Sequence, residues 1–319
     1  MRFLFVGLKD LRKENIMWYE KLVEALISGL RVGSVYALIA LGYTMVYGIL
    51  KLINFAHGEF IMIGAFVSLW VSLALGATWF TMIICAIVSM LVCVAVAVFT
   101  EKVAYKPLRN MSRITSLITA IGMSYLIQNV FNLISSGNPQ NPPKFIEFDM
   151  VQLFGGNSPK VDLEMTIFTV VVALIVMVAL MIFINHTKTG KAMKAVSENQ
   201  EAAKLMGIKV DKTISITFAI GAILAALSAM FYCLKTSVPF NASLGSATIG
   251  IKPFVAAVVG GIGSFPGAVI GGYIIGIVEQ VVGITALASY RDVFVFGILI
   301  LVLIIKPTGF FGKNTEQKA

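Results

Sequence analysis

Residues 60–100 read FIMIGAFVSLWVSLALGATWFTMIICAIVSMLVCVAVAVFT and contain no charged side chain. Glu59 precedes this run, and Glu101 and Lys102 follow it. A helix crosses the ~30 Å hydrocarbon core of a bilayer with ~20 apolar residues, so this run alone can supply two spans. The chain is therefore predicted to lie in a membrane, and its few polar features must be interpreted in that solvent.

The whole chain has the composition of a polytopic membrane protein. Of its 319 residues, 58% are hydrophobic and 13% are charged, and the mean hydropathy is +0.90. Further uncharged runs cover residues 114–143, 165–185, 213–234, 253–278 and 293–305. Their lengths suit α-helices and lack the ~10-residue alternating segments of a transmembrane barrel. We predict an all-α polytopic membrane protein with about eight transmembrane helices.

The distribution of charge predicts the sidedness of the loops. The net charge is +9, but the basic residues cluster in two short loops, around residues 102–113 and 188–212, whereas the loop at 135–164 is acidic. This asymmetry is typical of a membrane protein with cytoplasmic basic loops, and it argues against nucleic acid as the partner. Three crossings before residue 101 would put the basic N-terminus outside. Either the N-terminus lies outside despite its positive charge, or one early segment does not cross the whole membrane. From the sequence we favour the second alternative.

The chain divides into three predicted parts. Residues 1–24 form an N-terminal interfacial or cytoplasmic segment, residues 25–306 form the transmembrane domain with a cytoplasmic loop at 186–212, and residues 307–319 form a tail. Lys306 and Pro307 end the last apolar segment, since proline cannot continue a helix.

A first break in the apolar pattern lies at residues 52–59. Asn54, His57, Gly58 and Glu59 fall within six residues of each other. Such residues are costly at bilayer depth and are tolerated where they face protein or a water-filled cavity. This pattern predicts a discontinuous segment that lines a substrate pathway; a simple interfacial loop is the alternative. One His and one Glu are too few ligands for a metal, so no metal site is predicted.

A second break lies at residues 260–267, GGIGSFPG. Pro266 removes an amide donor and the glycines relax the backbone, so we expect the apolar segment to be cut into two half-length pieces. A pair of interrupted apolar segments indicates a transport path, which makes Ser264, Pro266 and Gly267 candidate pathway residues. Close helix packing is the alternative use of the glycines. Glu279, farther along, is a candidate for a pathway or helix-pairing role, and snorkelling of its side chain to the membrane interface is the alternative.

The long basic loop contains a predicted short helix of about nine residues. Ser197 with Gln200 fits a capping box, Glu198 would lie in the first turn, and Gly207 fits the left-handed position that closes a helix. Ala202 and Ala203 give the helix only small side chains on one side, so another protein surface can approach its backbone closely.

Several motifs together resemble one transporter family. Glu201, Ala202 and Ala203, followed after three residues by Gly207, resemble the EAA coupling loop of bacterial ABC-transporter permeases. The usual apolar-proline ending is absent, as is common in branched-chain amino acid permeases. The stretches GSVYALIALGYTMVYG at 33–48 and INFAHGE at 53–59 resemble the LivH type of that family, as do residues 260–267 with Glu279 and Gln280. The likeness covers roughly residues 25–310.

This resemblance implies a subunit of an importer in a bacterial cell membrane. A soluble extracytoplasmic binding protein would deliver leucine, isoleucine or valine, a second LivM-type permease would pair with this chain, and two ATPases would bind the coupling loops. The chain has no G-x-x-x-x-G-K-[ST] phosphate loop. ATP and Mg would therefore be bound by the partner ATPases, and this chain is predicted to bind no cofactor, to have no catalytic residues and not to be an enzyme.

A self-contained ion- or proton-coupled secondary transporter or channel, using His57 and Glu59, is the alternative.

Overall fold

A computed structural model describes residues 2–51, 54–76, 78–109, 111–142, 163–235 and 239–312. Most of the predicted outer loop at 135–164, residues 52 and 53 of the first break and the end of the predicted tail lie outside these ranges. The helices, in chain order, are α1 (Arg2–Leu50), α2 (His57–Leu75), α3 (Trp79–Thr100), α4 (Arg113–Ile134), α5 (Leu163–His186), α6 (Lys188–Glu198), α7 (Gln200–Leu205), α8 (Val210–Lys235), α9 (Ile251–Gly260), α10 (Phe265–Gly283) and α11 (Arg291–Ile305).

Eight helices of the described chain are long and apolar enough to cross a membrane, which confirms the predicted all-α fold. They are α1, α2, α3, α4, α5, α8, α10 and α11. Short π-helical and 3-10 turns, Glu101–Tyr105 and Lys106–Leu108, extend α3, and a π-helical turn, Leu244–Ile249, precedes α9. No strand occurs in the described ranges, where a single β-bridge pairs Gln140 with Phe240.

Four helices form the centre of the bundle. Half or more of the span is buried in α1, α2, α8 and α10, from 50% to 72%, but only 11% to 28% in α3, α4, α5 and α11. The outer helices expose large apolar side chains such as Leu91, Leu133 and Ile305. In a bilayer this surface suits lipid or another apolar helix.

The central helices α1 and α10 pack through small residues. A Cβ on Gly33 would meet the Cα of Tyr273 at 2.8 Å, and a Cβ on Gly272 would meet the Cα of Ala37 at 2.7 Å. The pairing runs antiparallel, since higher numbers in α1 match lower numbers in α10. Small residues spaced in this way let two backbones approach closely, which drives helix association in membranes.

The ends of the helices lie on two faces of the bundle. The end of α1 joins a buried cluster with parts of α6, α7 and α8, including Met45, Ile49, Met193, Ala203 and Ile214. The basic loops therefore share a face with the end of α1, and the start of α1 lies on the opposite face. Because α1, α2 and α3 each have the length of a span, the expectation that one early segment stops short is wrong.

The first helix is continuous from Arg2, so the N-terminal segment before the apolar residues is helical as well. One feature of the fold differs from the expected segments. The second break does not cut one span into two halves. Gly267 packs on Gly260 and Gly271 packs on Ala256, so α9 and α10 form an antiparallel hairpin in which α10 is a full span.

The chain after α11 returns to this hairpin. The backbone N–H groups of Phe310 and Phe311 donate to the carbonyls of Val259 and Gly260, both at 2.9 Å. The C-terminal segment thus satisfies the last carbonyls of α9, which would otherwise lack partners.

Candidate functional site

The first break is buried inside the protein. Lys51 ends α1 with a positive φ of 55°, and α2 begins at His57. His57 is 1% exposed, Glu59 0% and Asn54 3%. These side chains therefore lie inside the protein, between the full-length spans α1 and α2, and not among lipid headgroups, where a simple interfacial loop would place them.

The polar side chains of the break contact three different helices. Asn54 Oδ1 accepts a hydrogen bond from the Tyr105 hydroxyl at 2.6 Å, and Glu59 Oε1 accepts one from Ser124 at 2.8 Å. The His57 ring lies edge-on to Tyr43, with 4.6 Å between ring centroids. Asn54 Nδ2, Glu59 Oε2 and both His57 nitrogens are buried without a hydrogen-bond partner. Such atoms are expensive to bury, which is typical of a functional site.

Gly58 has a different role from the one expected. It lies in the first turn of α2, and the positive-φ glycines of the described chain do not include it. A Cβ at Gly58 would collide with the carbonyl oxygen of Gly245 and meet the Cα of Gly250 at 3.2 Å. Its function is therefore close packing of α2 against the π-helical turn, and not unwinding of the backbone.

The residues of the second break form the turn of the α9–α10 hairpin. Gly261 and Gly263 have φ values of 104° and 98°, which favour glycine. Ser264 is the N-cap of α10, its Oγ accepting from the Gly267 N–H at 3.3 Å, and Pro266 lies in the first turn, where its missing N–H costs nothing. The packing explanation therefore accounts for Ser264, Pro266 and Gly267.

The two breaks meet at a small, partly open pocket. Tyr43, Tyr47, Asn54, Phe254 and Ile262 line a cavity of about 10 Å³. The structure thus brings Asn54 of the first break together with Ile262 of the second. Ser264, Pro266 and Gly267 are not among the lining residues.

The helix predicted in the long basic loop is shorter than expected. Asn199, and not Ser197, is its N-cap, accepting from the Ala202 N–H at 2.9 Å, while Ser197 donates to the Lys194 carbonyl in α6. Two helices, α6 and α7, occupy the region because Asn199 breaks the helical path with an extended backbone. Gly207, at φ 80°, closes α7 as predicted.

The side chains of α7 divide between the protein and the solvent. Ala203 is buried against the cluster at the end of α1, and Glu201 and Ala202 are exposed. Leu205 and Met206 are 89% and 83% exposed. These two neighbouring apolar side chains make the end of α7 a candidate contact surface.

Sequence analysis missed an ion-pair network beside this loop. Glu101 is fully buried and accepts from Ser215 at 2.6 Å and from Arg109, which also contacts Asp211 at 2.5 Å. The network joins the end of α3 to the start of α8. Its only signal in the sequence is the position of Glu101, which ends the uncharged run eight residues before Arg109.

Within the part of the chain that the structure describes, no three His, Cys, Asp or Glu side chains form a group that could hold a metal ion. The eight apolar helices of the described ranges make this a multi-pass membrane protein, and the buried polar break between α1 and α2 fits the class of transporters.

The comparison with known sequences gives the family. A family model described as "Branched-chain amino acid transport system / permease component" matches residues 25–303, and the chain belongs to this family. It is 40% identical over 303 residues to the high-affinity branched-chain amino acid transport system permease protein BraD of Pseudomonas aeruginosa, covering 93% of this chain and 97% of BraD. It is 38% identical to the LivH proteins of Escherichia coli K12 and Salmonella typhimurium, with the same coverage. No solved structure gives a significant match.

Proposed function

We propose that this chain is the membrane-spanning permease subunit of a binding-protein-dependent ABC importer that moves leucine, isoleucine and valine inward. The observation that carries the proposal is the family match along residues 25–303, together with relatives that are named as permease proteins of branched-chain amino acid transport systems. The buried polar break and the exposed loop helix agree with a subunit that carries a solute and receives energy from elsewhere.

The surface of α7 is the proposed contact for the ATPases. Glu201, Ala202, Ala203 and Gly207 form the coupling element, and the exposed Leu205 and Met206 supply apolar area for a partner. ATP and Mg are bound by two partner ATPase subunits, so this chain is a non-catalytic subunit. Ala203 packs on the cluster at the end of α1. A movement of α7 on ATPase binding is therefore transmitted to α1, the helix that leads into the first break.

The proposed pathway follows the first break more closely than the second. Asn54, His57, Gly58 and Glu59 are buried between helices, and Asn54 lines the small pocket between the two breaks. Ser264, Pro266 and Gly267 contribute by fixing the hairpin turn that carries Ile262 to that pocket.

The remaining partners and the location follow from the same proposal. A second, LivM-type permease covers part of the apolar outer surface, an extracytoplasmic protein delivers the amino acid, and the assembly lies in the bacterial cell membrane among lipids. Residues 1–24 form the N-terminal segment before the transport domain of residues 25–306, and residues 307–319 form the tail.

A pull-down of the chain from its native membrane in mild detergent tests the assembly. We expect recovery of a second permease and two ATPases that carry phosphate loops. The Met206→Glu variant should lose the ATPases, because a charge would replace an apolar contact, whereas Met111→Glu, on another exposed methionine of a basic loop, should retain them.

Uptake by the purified assembly tests the energy source. We expect leucine uptake in proteoliposomes to require ATP and to be independent of an ion gradient. Recovery of the chain alone, with uptake driven by a proton or sodium gradient, would instead identify a self-contained secondary transporter that uses His57 and Glu59.

A further inference from the structure

The span of α4 differs from the other described spans in how its composition relates to its surroundings. The mostly exposed spans of α3, α5 and α11 have mean hydropathies of 3.0, 3.3 and 2.2. The spans of α1, α2 and α10, at 1.6, 1.8 and 1.5, are at least half buried. The span of α4 has a mean hydropathy of 1.5, but only 17% of it is buried. It therefore has the polarity of a central helix and the exposure of a lipid-facing one.

The polar side chains of α4 include several on its outer face. We use this name for the stripe of Ile118, Gly122, Tyr125, Asn129 and Asn132, which recur every three or four residues and are all exposed. In α3 and α5 the hydroxyl side chains are buried instead: Thr81, Ser89, Thr100, Thr166 and Thr169. Among the mostly exposed helices of the described chain, α4 alone therefore turns polar side chains outward at more than one turn from its ends.

The polar part of this face lies deep in the span. Tyr125 is nine residues before the end of α4 at Ile134, or about 13 Å, and Asn129 is about 7 Å from that end. Helical side chains tilt toward the N-terminus of their helix, which for α4 adjoins the basic loop at 102–113. Both side chains are therefore directed away from the nearer interface, which disfavours snorkelling to its headgroups.

Asn129 has a hydrogen-bond acceptor to offer in this region. Its Nδ2 donates to the Tyr125 carbonyl of the same helix at 2.8 Å, and no described residue donates to its Oδ1. Hydrocarbon tails offer no donor, whereas a neighbouring helix can hydrogen bond to an Asn side chain. Gly122 leaves room for such a helix, since no described atom lies within 4 Å of a Cβ built on it.

We propose that the outer face of α4 is the surface on which the second, related permease packs, through a transmembrane helix that carries a donor for Asn129 Oδ1. The inference rests on the proposed function and names the contact surface of one of its partners. Soluble ATPases and a soluble binding protein do not reach the depth of Tyr125 in the bilayer. The second permease is the member of the assembly that does.

The opposite face of α4 contacts the first break. Ser124 donates to Oε1 of Glu59 at 2.8 Å. The Phe131 ring packs on Phe66 and stacks on Trp70, with 5.5 Å and 5.9 Å between ring centroids. Because α4 is otherwise little buried, a permease bound to its outer face holds the helix, and with it Ser124, against α2.

The first test replaces Tyr125 with the photoreactive p-benzoylphenylalanine in the full assembly in native membranes and identifies the adducts by mass spectrometry. Leu91 of α3 is the matched control position, since it is 66% exposed against 62% for Tyr125 and also lies nine residues before the end of its helix. Irradiation should link position 125 to the second permease and position 91 to lipid, with at least fivefold more permease adduct at 125. Equal permease adducts from the two positions would overturn the assignment, as would a probe at 125 that reacts only with lipid, with this chain or with a second copy of it.

The second test measures the hydrogen bond by pull-down in mild detergent. Asn129→Leu should lower recovery of the second permease about fivefold, as expected for one hydrogen bond between helices in a membrane, while its amount in the membrane stays near wild type. Val130→Leu, on an exposed position beside the outer face, should leave recovery unchanged. Equal recovery by the two variants would overturn the role of Asn129.

The wild-type chain separates this inference from the proposed function. If it recovers the second permease while the probe at position 125 gives no adduct with that permease, this inference alone is overturned. If it recovers no second permease, the proposed function is overturned and this inference with it.

Discussion

Lys252 Nζ lies 2.7 Å from Oε1 of Glu279, while the hydroxyl of Tyr36 donates to Oε2 of the same carboxylate at 2.7 Å. Glu279 is buried, and Lys252 also contacts Asp292 at 2.9 Å. These bonds join α1, α9, α10 and α11. Because both carboxylate oxygens have protein partners, Glu279 pairs helices and does not snorkel to the membrane interface.

Glu279→Ala should destabilise the protein strongly. It leaves the half-buried Lys252 with only Asp292 as its charged partner and removes the acceptor of Tyr36, a change that costs about 3 kcal/mol of unfolding free energy. Asp292→Ala is the control, since the Asp292 side chain is 66% exposed and should contribute less than about 1 kcal/mol. Thermal unfolding of both variants in detergent measures the difference, and equal midpoints would contradict the helix-pairing role.

Gly58→Ala should displace the π-helical turn from α2. The added Cβ would collide with the Gly245 carbonyl, and overpacking of this kind costs about 1–3 kcal/mol. Gly48→Ala provides the comparison, because nothing lies within 4 Å of a Cβ at that position. Unfolding in detergent and leucine uptake should both fall for Gly58→Ala and stay near wild type for Gly48→Ala. A stable, fully active Gly58→Ala protein would show that the contact is not required.

Glu59→Gln should impair uptake without loss of protein from the membrane. The substitution keeps the shape of the side chain and an oxygen for Ser124, but it replaces a fully buried carboxyl group with an amide. We expect uptake to fall roughly tenfold, because an amide nitrogen takes the place of Oε2, which can accept a hydrogen bond. Ser124→Ala, which removes the hydrogen bond and retains the carboxylate, should have a smaller effect. Unchanged uptake in Glu59→Gln would leave the residue with a purely structural role.

Gly207→Val should uncouple ATP hydrolysis from transport. Gly207 has a φ of 80°, where a β-branched residue is strained by about 1–2 kcal/mol, so α7 would lose its closing turn. Gly207→Asn is the matched variant, because asparagine tolerates the left-handed conformation better than other residues with a side chain. The ratio of leucine transported to ATP hydrolysed should fall in the valine variant alone. A normal ratio there would count against α7 as the coupling element.

Sequence predicted the spans well because their signal is local. An uncharged run such as residues 60–100 is stable only in an apolar environment, whatever the rest of the chain does. The first break and the closing role of Gly207 were predicted for the same reason: Asn54, His57 and Glu59 are costly in lipid at any position, and a glycine with a positive φ ends a helix locally.

The features that sequence missed depend on contacts between residues far apart in the chain and on the direction in which a segment turns. Apolarity does not say whether a segment continues or folds back, so the antiparallel hairpin of α9 and α10 was expected as two halves of one span. Tyr36 and Glu279 are far apart in the chain, as are Glu101 and Ser215, and no local pattern pairs them. Ser197 and Asn199 are both good caps, and only the extended backbone at Asn199 decides between them.

The bonds from Phe310 and Phe311 to Val259 and Gly260 also set an order on biosynthesis. The carbonyls at the end of α9 leave the ribosome about fifty residues before the amides that satisfy them. During that interval, these two carbonyls lack the partners that they have in the folded protein. Phe310 and Phe311 therefore complete the hairpin only at the end of synthesis, and truncation just after α11 should leave a protein that inserts but matures poorly.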